Sequence, residues 1–249
     1  MKNLALTLAA TAFTAGSALG AVTSTTSHST ASNGFDALLS NTDLIAGQLG
    51  VELPDNGWHP ATPGEPARLV QLTDGVTGGG LNGLLNDFPG AGVPTKRVTY
   101  NLAGQDIGGI NILTGNDGAD GRIFNTVAIY TDGSLLGYFE SDPLGSLNPT
   151  PGGPAPDRST FLQIFDDASA TLAAGVTTLQ LDFYAVDNGG GQYRDPFDGV
   201  NPFTTIDDGL TAAFVSPLVW EIDVLAVPEP ASVALLGLGG LALAARRRA

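Results

Sequence analysis

Residues 179–186 read Leu179-Gln180-Leu181-Asp182-Phe183-Tyr184-Ala185-Val186. Leu179, Leu181, Phe183 and Ala185 share one face, opposite Gln180, Asp182 and Tyr184, which is the two-residue period of a half-buried strand. A second run repeats the pattern, with Leu218, Trp220, Ile222 and Val224 alternating with Val219, Glu221, Asp223 and Leu225. One of its faces is apolar and the other mixed. Shorter β-type runs precede these two: Arg68–Leu72, Val98–Leu102, Ile107–Leu113, Thr126–Thr131, Leu135–Glu140 and Phe161–Phe165. Turn pairs separate them, among them Asp74-Gly75, Asp117-Gly118, Asp132-Gly133 and Asp208-Gly209. Only a short helix near Phe35–Leu39 interrupts the pattern. The runs and their spacing predict an all-β chain, an antiparallel β-sandwich of the jelly-roll kind.

Composition agrees. The 249 residues include 34 Gly, 16 Pro and 20 Asp against 5 Glu, a balance that favours turns over long solvated helices. With no Cys there is no disulfide framework, thiolate zinc site or cysteine nucleophile, and His28 and His59 leave little room for histidine metal chemistry. A formal charge of −15 repels phosphate backbones, which argues against a nucleic-acid partner. No nucleophile elbow or phosphate loop is present, the carboxylates are too numerous for their count to indicate hydrolysis, and the expectation is a chain that is not an enzyme.

The two ends have a different character from the body. Residues 1–20 combine Lys2, an apolar run from Leu4 to Phe13, and small residues Ala18 and Gly20 before Ala21, the layout of a secretory signal peptide cut by signal peptidase. At the other end, Val227-Pro228-Glu229-Pro230 precedes the charge-free stretch 231–245 and then Arg246, Arg247 and Arg248. As a helix those fifteen residues would span about 22 Å, a short transmembrane segment whose Arg cluster stays cytoplasmic. Between the ends, residues 21–227 carry six Lys or Arg against 24 Asp or Glu. The domain reading is therefore signal peptide 1–20, Ser/Thr-rich linker and lead-in 21–42, β domain 43–226, and a tail over 227–249.

The order VPEP, apolar segment, Arg cluster resembles the PEP-CTERM sorting signal of exported bacterial proteins. That resemblance implies processing near Pro228-Glu229-Pro230 by an exosortase, a membrane cysteine transpeptidase. It further implies passage through the inner membrane with the body in the periplasm, then a place at the cell surface or in the extracellular matrix, in the company of extracellular polysaccharide.

Three stretches of the body resemble discoidin-like (F5/8 type C, galactose-binding-like) domains. They are Leu72-Thr73-Asp74-Gly75, the segment from Val98 to Gly133 with Arg122, and Val219-Trp220-Glu221-Ile222-Asp223-Val224. The resemblance implies binding loops at one end and a structural Ca²⁺, with Asp74 and Glu221 as its ligands; a hard cation suits those oxygens. Read without the resemblance, Asp74 is a turn former and Glu221 a solvated strand residue. Trp58, Tyr193 and Arg194 are the candidate ligand-binding residues, the latter two in the long connection 187–209, while Trp220 reads as core. The functional expectation is a non-catalytic polysaccharide-binding surface protein; the alternative is a Ca²⁺-bridged matrix or coat protein without a specific glycan.

Overall fold

The computed structural model describes residues 20–53, 57–62, 67–86, 89–115, 122, 125–141, 158–187 and 194–228. The signal peptide proper, the apolar tail with its Arg cluster, and Tyr193 lie outside them. Among the described residues no helix is long and apolar enough to cross a membrane.

Eight strands make one antiparallel sheet: β1 (Val22–Ser29), β2 (Val51–Glu52), β3 (Lys96–Gly115), β4 (Thr126–Thr131), β5 (Ser134–Glu140), β6 (Ser159–Asp166), β7 (Ala173–Phe183) and β8 (Val219–Ala226). The two runs expected as separate strands, Val98–Leu102 and Ile107–Leu113, are halves of the 20-residue β3. Its ladder with β7 is broken between Asn101 and Ile107, where Ala103 and Gly104 take positive φ of 53° and 83°. The first half pairs with β7 and β2, the second with β6 and β8, so the sheet turns over on itself along a single chain. At Ile107 both edges of β3 are taken, by Ala173 of β7 and Ala226 of β8. The outermost strands of the path β1-β6-β3-β7-β4-β5 come into contact, which makes the sheet nearly barrel-shaped.

The interior follows the alternation. Leu179, Leu181 and Phe183 of β7 are fully buried with Val98, Ile110, Ile112, Ile129 and Ile222, in one continuous apolar cluster. Trp220 is core, as its pattern implied, and packs in a satellite cluster with Phe35, Phe161 and Leu218. The polar face of β7 is also covered. Asp182 is fully buried and is gripped by both ends of the Arg97 guanidinium, with Nε at 2.5 Å, while Gln180 Nε2 donates to it at 3.0 Å. A buried carboxylate is tolerated only when paired in this way.

Two expectations are corrected. Residues 22–29 are not a linker: all eight residues of β1 pair in register with β6, from Val22 opposite Asp166 to Ser29 opposite Ser159. Thr-rich sequence has good strand propensity, and as an edge strand β1 needs no apolar face. His28 lies within this ladder, with Nδ1 2.8 Å from Thr160 Oγ1. Arg68–Leu72 is not a strand either; Ala67–Val70 forms one α-helical turn (α1) that runs into a 3₁₀ turn at Gln71–Thr73. Such a short apolar run carries no period of its own.

Ile112 sits fully buried at the middle of the second half of β3, opposite Leu162 on one edge and Ile222 on the other. We expect Ile112→Ala to cost about 2–5 kcal/mol of stability through cavity formation. Urea denaturation of residues 21–228 measures it.

Candidate functional site

Strand β8 places Glu221 opposite Leu113 and Asp223 opposite Asn111 of β3. Their side chains leave the apolar face of β8, yet they do not reach solvent: Glu221 is 1% exposed and Asp223 0%. The cover comes from two loops. One is the Asp74–Gly75 turn that ends the 3₁₀ segment, with Gly75 at φ 76°, a conformation natural to glycine. The other is the 40–45 segment, whose Ser40 and Asn41 press so closely on Gly75 that a Cβ there would lie 2.7–3.0 Å from them. Ser40 N–H donates to Asp223 Oδ2 at 3.2 Å. Asp43 Oδ1 accepts the N–H groups of Ile45 and Val224 at 2.9 and 3.2 Å, and Leu44 N–H donates to Val224 O at 2.8 Å.

Four carboxylates thus gather on one side of β8: Asp43, Asp74, Glu221 and Asp223. Neither oxygen of Glu221 has a hydrogen-bond partner, nor does Asp43 Oδ2 or Asp223 Oδ1, and the buried Tyr100 hydroxyl beside them is also unpartnered. Burial raises the Glu221 carboxyl to about 10, and the charges of Asp223, Asp74 and Asp43 add to it. The nearby Gly75 N–H, outside hydrogen-bond geometry, offsets this only in part. Burial likewise raises Asp223 to about 6, with Asp43 contributing, and lifts Asp43 and Asp74 above the usual carboxylate range.

An unpartnered buried carboxylate needs either a proton or a cation. The donors present are all oxygens, which fits Ca²⁺ rather than a softer metal. Among the described residues no three carboxylate or imidazole side chains are grouped tightly enough to hold a metal by themselves. An ion here would therefore use a pair of carboxylates and complete its ~6–8 oxygens with backbone carbonyls and water. Asp74 and Glu221, expected as such a pair, are brought together. Asp43 and Asp223 were missed, and nothing local in the sequence marks them.

The second candidate, Trp58, borders a groove of about 340 Å³ lined also by Glu52, His59, Thr62 and Arg68. The indole is rigidly held: Nε1 donates to Glu52 Oε2 at 2.5 Å, Lys96 Nζ lies 4.3 Å from the ring centroid and the Arg68 guanidinium 5.1 Å. Glu52 also pairs with Lys96 at 2.7 Å and Arg68 at 3.8 Å, so Trp58 is framed by two cations sharing one anion. Lys96 is fully buried, a position that a lysine keeps as a charge only when paired. The strand pairing of Glu52 with Val98 sets this geometry.

Arg194 does not join that groove. Its Nε donates to Asp187 Oδ1 at 2.7 Å, one terminal nitrogen reaches Thr211 Oγ1 at 3.1 Å, and the guanidinium lies 5.1 Å from the Phe214 ring centroid. It fastens its loop to the body. From Asp195 onward that connection is stitched by its own side chains, with Asp195, Asp198, Asn201, Asp207 and Asp208 all accepting backbone N–H groups. Phe197 and Phe203 fold under it against Tyr138 and Tyr184, with Phe203 stacked on Tyr138 at 4.6 Å. Among the described residues, the aromatics of this loop, Phe197 and Phe203, serve its packing.

At the far end of β8, the chain passes from Ala226 into the VPEP stretch. Compared with known families, residues 226–248 match the PEP-CTERM protein-sorting motif. The chain carries an exosortase sorting signal. No curated protein matches the chain. The PEP-CTERM signal marks an exported protein that crosses the membrane, is processed by exosortase and is sorted to the cell surface. Val227 and Pro228 of the motif lie within the described residues; Glu229, Pro230, Arg246, Arg247 and Arg248 lie outside them.

The buried Glu221 yields a pH prediction. Its folded-state value near 10 lies above the 4.5 of an unperturbed glutamate, so in the absence of a cation the folded chain holds the extra proton between the two values. The stabilisation is complete below about pH 4.5 and is lost as the pH rises towards about 10. In EDTA, wild-type stability is expected to fall from about pH 5 to about pH 9, and Glu221→Gln, which cannot ionise, to flatten that fall. Urea titrations at stepped pH read both.

Proposed function

We propose that the exported body is a non-catalytic polysaccharide-binding domain of the galactose-binding-like kind, with Ca²⁺ as a structural staple. The observation that carries the binding reading is Trp58, a large aromatic surface clamped in an open groove by Glu52, Lys96 and Arg68. Sugar rings present apolar C–H faces and polar edges, and a fixed indole flanked by charged donors and an acceptor meets both. The meeting of the Asp74–Gly75 turn with Glu221 supports the discoidin-like reading and its cation. When bound, the ion would neutralise the carboxylates and hold the 40–45 loop, the Asp74 turn and β8 together. Asp74 and Glu221 are the ligands we assign to it.

Purified residues 21–228, retained on the producing cell's own exopolysaccharide, test this reading. Trp58→Ala is expected to weaken binding by about tenfold or more. Because the indole also packs on the core and covers Lys96, the thermal midpoint falls too, and binding is compared at a temperature where circular dichroism shows the variant folded. Absence of wild-type retention on any matrix polysaccharide contradicts it.

A second reading, a coat protein assembled by Ca²⁺ bridges without a specific glycan, is favoured by the excess of 24 acidic over six basic residues in the body. Ca²⁺-dependent oligomers in the absence of sugar, seen by light scattering, would be its signature.

For the staple itself, Ca²⁺ is expected to raise the thermal midpoint of the wild type relative to EDTA, and Asp74→Asn with Glu221→Gln to remove that rise. Calorimetric scans with and without the ion decide it. No Ca²⁺-dependent shift in the wild type contradicts the assignment.

A further inference from the structure

The bend of β3 gathers the two ends of the described body. β8 ends there, with Ala226 opposite Ile107, and Val227 N–H still reaches Asp106 O at 3.4 Å. Gly108 is the seat of this exit: a Cβ on it would lie 2.8 Å from Ala226 O and 3.2 Å from Val227 Cα. The first residue of the VPEP stretch lies just past the end of β8 and is tied to β3 by that one backbone hydrogen bond, and only Pro228 separates it from Glu229. β1 begins at the same place. Val22 pairs with Asp166, Ala21 N–H donates to Asp167 Oδ1 at 2.8 Å, and Asp167 N–H returns a bond to Ala21 O at 3.2 Å. The entry to the body and its exit into the sorting motif thus share one pole, made of residues 103–107 and the 167–172 connection between β6 and β7.

The candidate sites are elsewhere. β7 runs 11 residues from this pole to Phe183, opposite Lys96, a distance of roughly 30 Å, and Lys96 is the residue that braces Trp58. Glu221 stands opposite Leu113, six residues along β3 from Ile107 and roughly 20 Å from the bend.

Pro228-Glu229-Pro230 lies within three residues of Val227, a reach of roughly 10 Å even fully extended, so an enzyme that acts there comes close to the body. We propose that the bend pole is the face on which the exosortase docks while it acts. This rests on the exosortase reading and adds to it a surface and an orientation. The face is polar and acidic. Asp106, Asp166 and Asp167 each accept a backbone N–H through one carboxylate oxygen, from Gly175, Ala168 and Ala21 respectively. Cleavage before Ala21 leaves an α-ammonium on Asp167, so Asp106 and Asp166 carry the negative charge around the exit. A partner face rich in cations or hydrogen-bond donors is its complement. Docked there, the enzyme leaves the Trp58 groove pointing away from the membrane.

The test uses the full chain in its producing cell, with an exosortase lacking its nucleophilic cysteine so that precursor accumulates. A photoreactive p-benzoylphenylalanine is placed at Ala170 or Ala174 on the pole, or at Ile206 on the distant loop, all exposed positions. Crosslinks to the exosortase are expected from Ala170 and Ala174 and not from Ile206. A Gly/Ser insert of about ten residues between Ala226 and Val227 adds roughly 15–20 Å of reach. It is expected to remove the pole crosslinks while the active enzyme still cuts the motif. Equal crosslinking from Ile206, pole crosslinks unchanged by the insert, or none from any position while wild-type enzyme processes the chain would each overturn the docking face. A precursor that wild-type exosortase never processes would overturn the exosortase reading itself, and this proposal with it.

Discussion

Everything in the body is hung on β3. A strand with neighbours along both edges satisfies its N–H and C=O groups without water, and β3 does this along its second half, between β6 and β8, and at Val98 and Thr99 of its first, between β7 and β2. The bend is what allows one chain segment to belong to both halves of a sheet that turns over. It fixes the common core, in which Val98 and Leu179 from one half meet Ile110, Ile112 and Ile222 from the other. It also fixes the exits, since β6, β7 and β8 all reach it at one end.

The same architecture explains where cost is stored. Burying Asp182 is offset by a two-pronged grip from Arg97, and burying Lys96 by Glu52 and the face of Trp58. Glu221 has no such compensation from the protein, and Asp223 has only the Ser40 N–H on one of its two oxygens. The contrast between paired and unpaired buried carboxylates inside one domain is the strongest chemical signal in the structure, and it calls for either a proton or a cation beside β8. The long connection after Arg194 is, by comparison, chemically quiet: its acidic residues are consumed in turns and its aromatics in packing.

The features legible in the sequence are those set by local periodicity or by contiguous motif. Leu179–Phe183 and Leu218–Val224 declare their inner faces, Asp132-Gly133 its hairpin turn, and VPEP with the Arg cluster its sorting role. β1 is hidden because an edge strand of Ser and Thr has the composition of a linker, and only its register with β6 distinguishes them. α1 is hidden because a run as short as Arg68–Leu72 fits strand and helix equally. Glu221 can be named from the late strand, but its burial cannot, because the cover comes from Ser40–Asp43 and Asp74–Gly75, more than a hundred residues away in sequence. Asp43 and Asp223 are invisible for the same reason. Arg194 reads as a binding residue because a loop Arg and a buried-partner Arg look alike until Asp187 and Thr211 are seen beside it.

The dependence of the body on β3 is most directly tested by hydrogen exchange of purified residues 21–228. If both halves of β3 belong to one cooperative unit, the amides of 98–101 and 109–114 exchange last and with the same opening free energy, equal to that of global unfolding. If one half exchanges much earlier than the other, the sheet is two units joined at the bend, and β3 is not the common frame of the body.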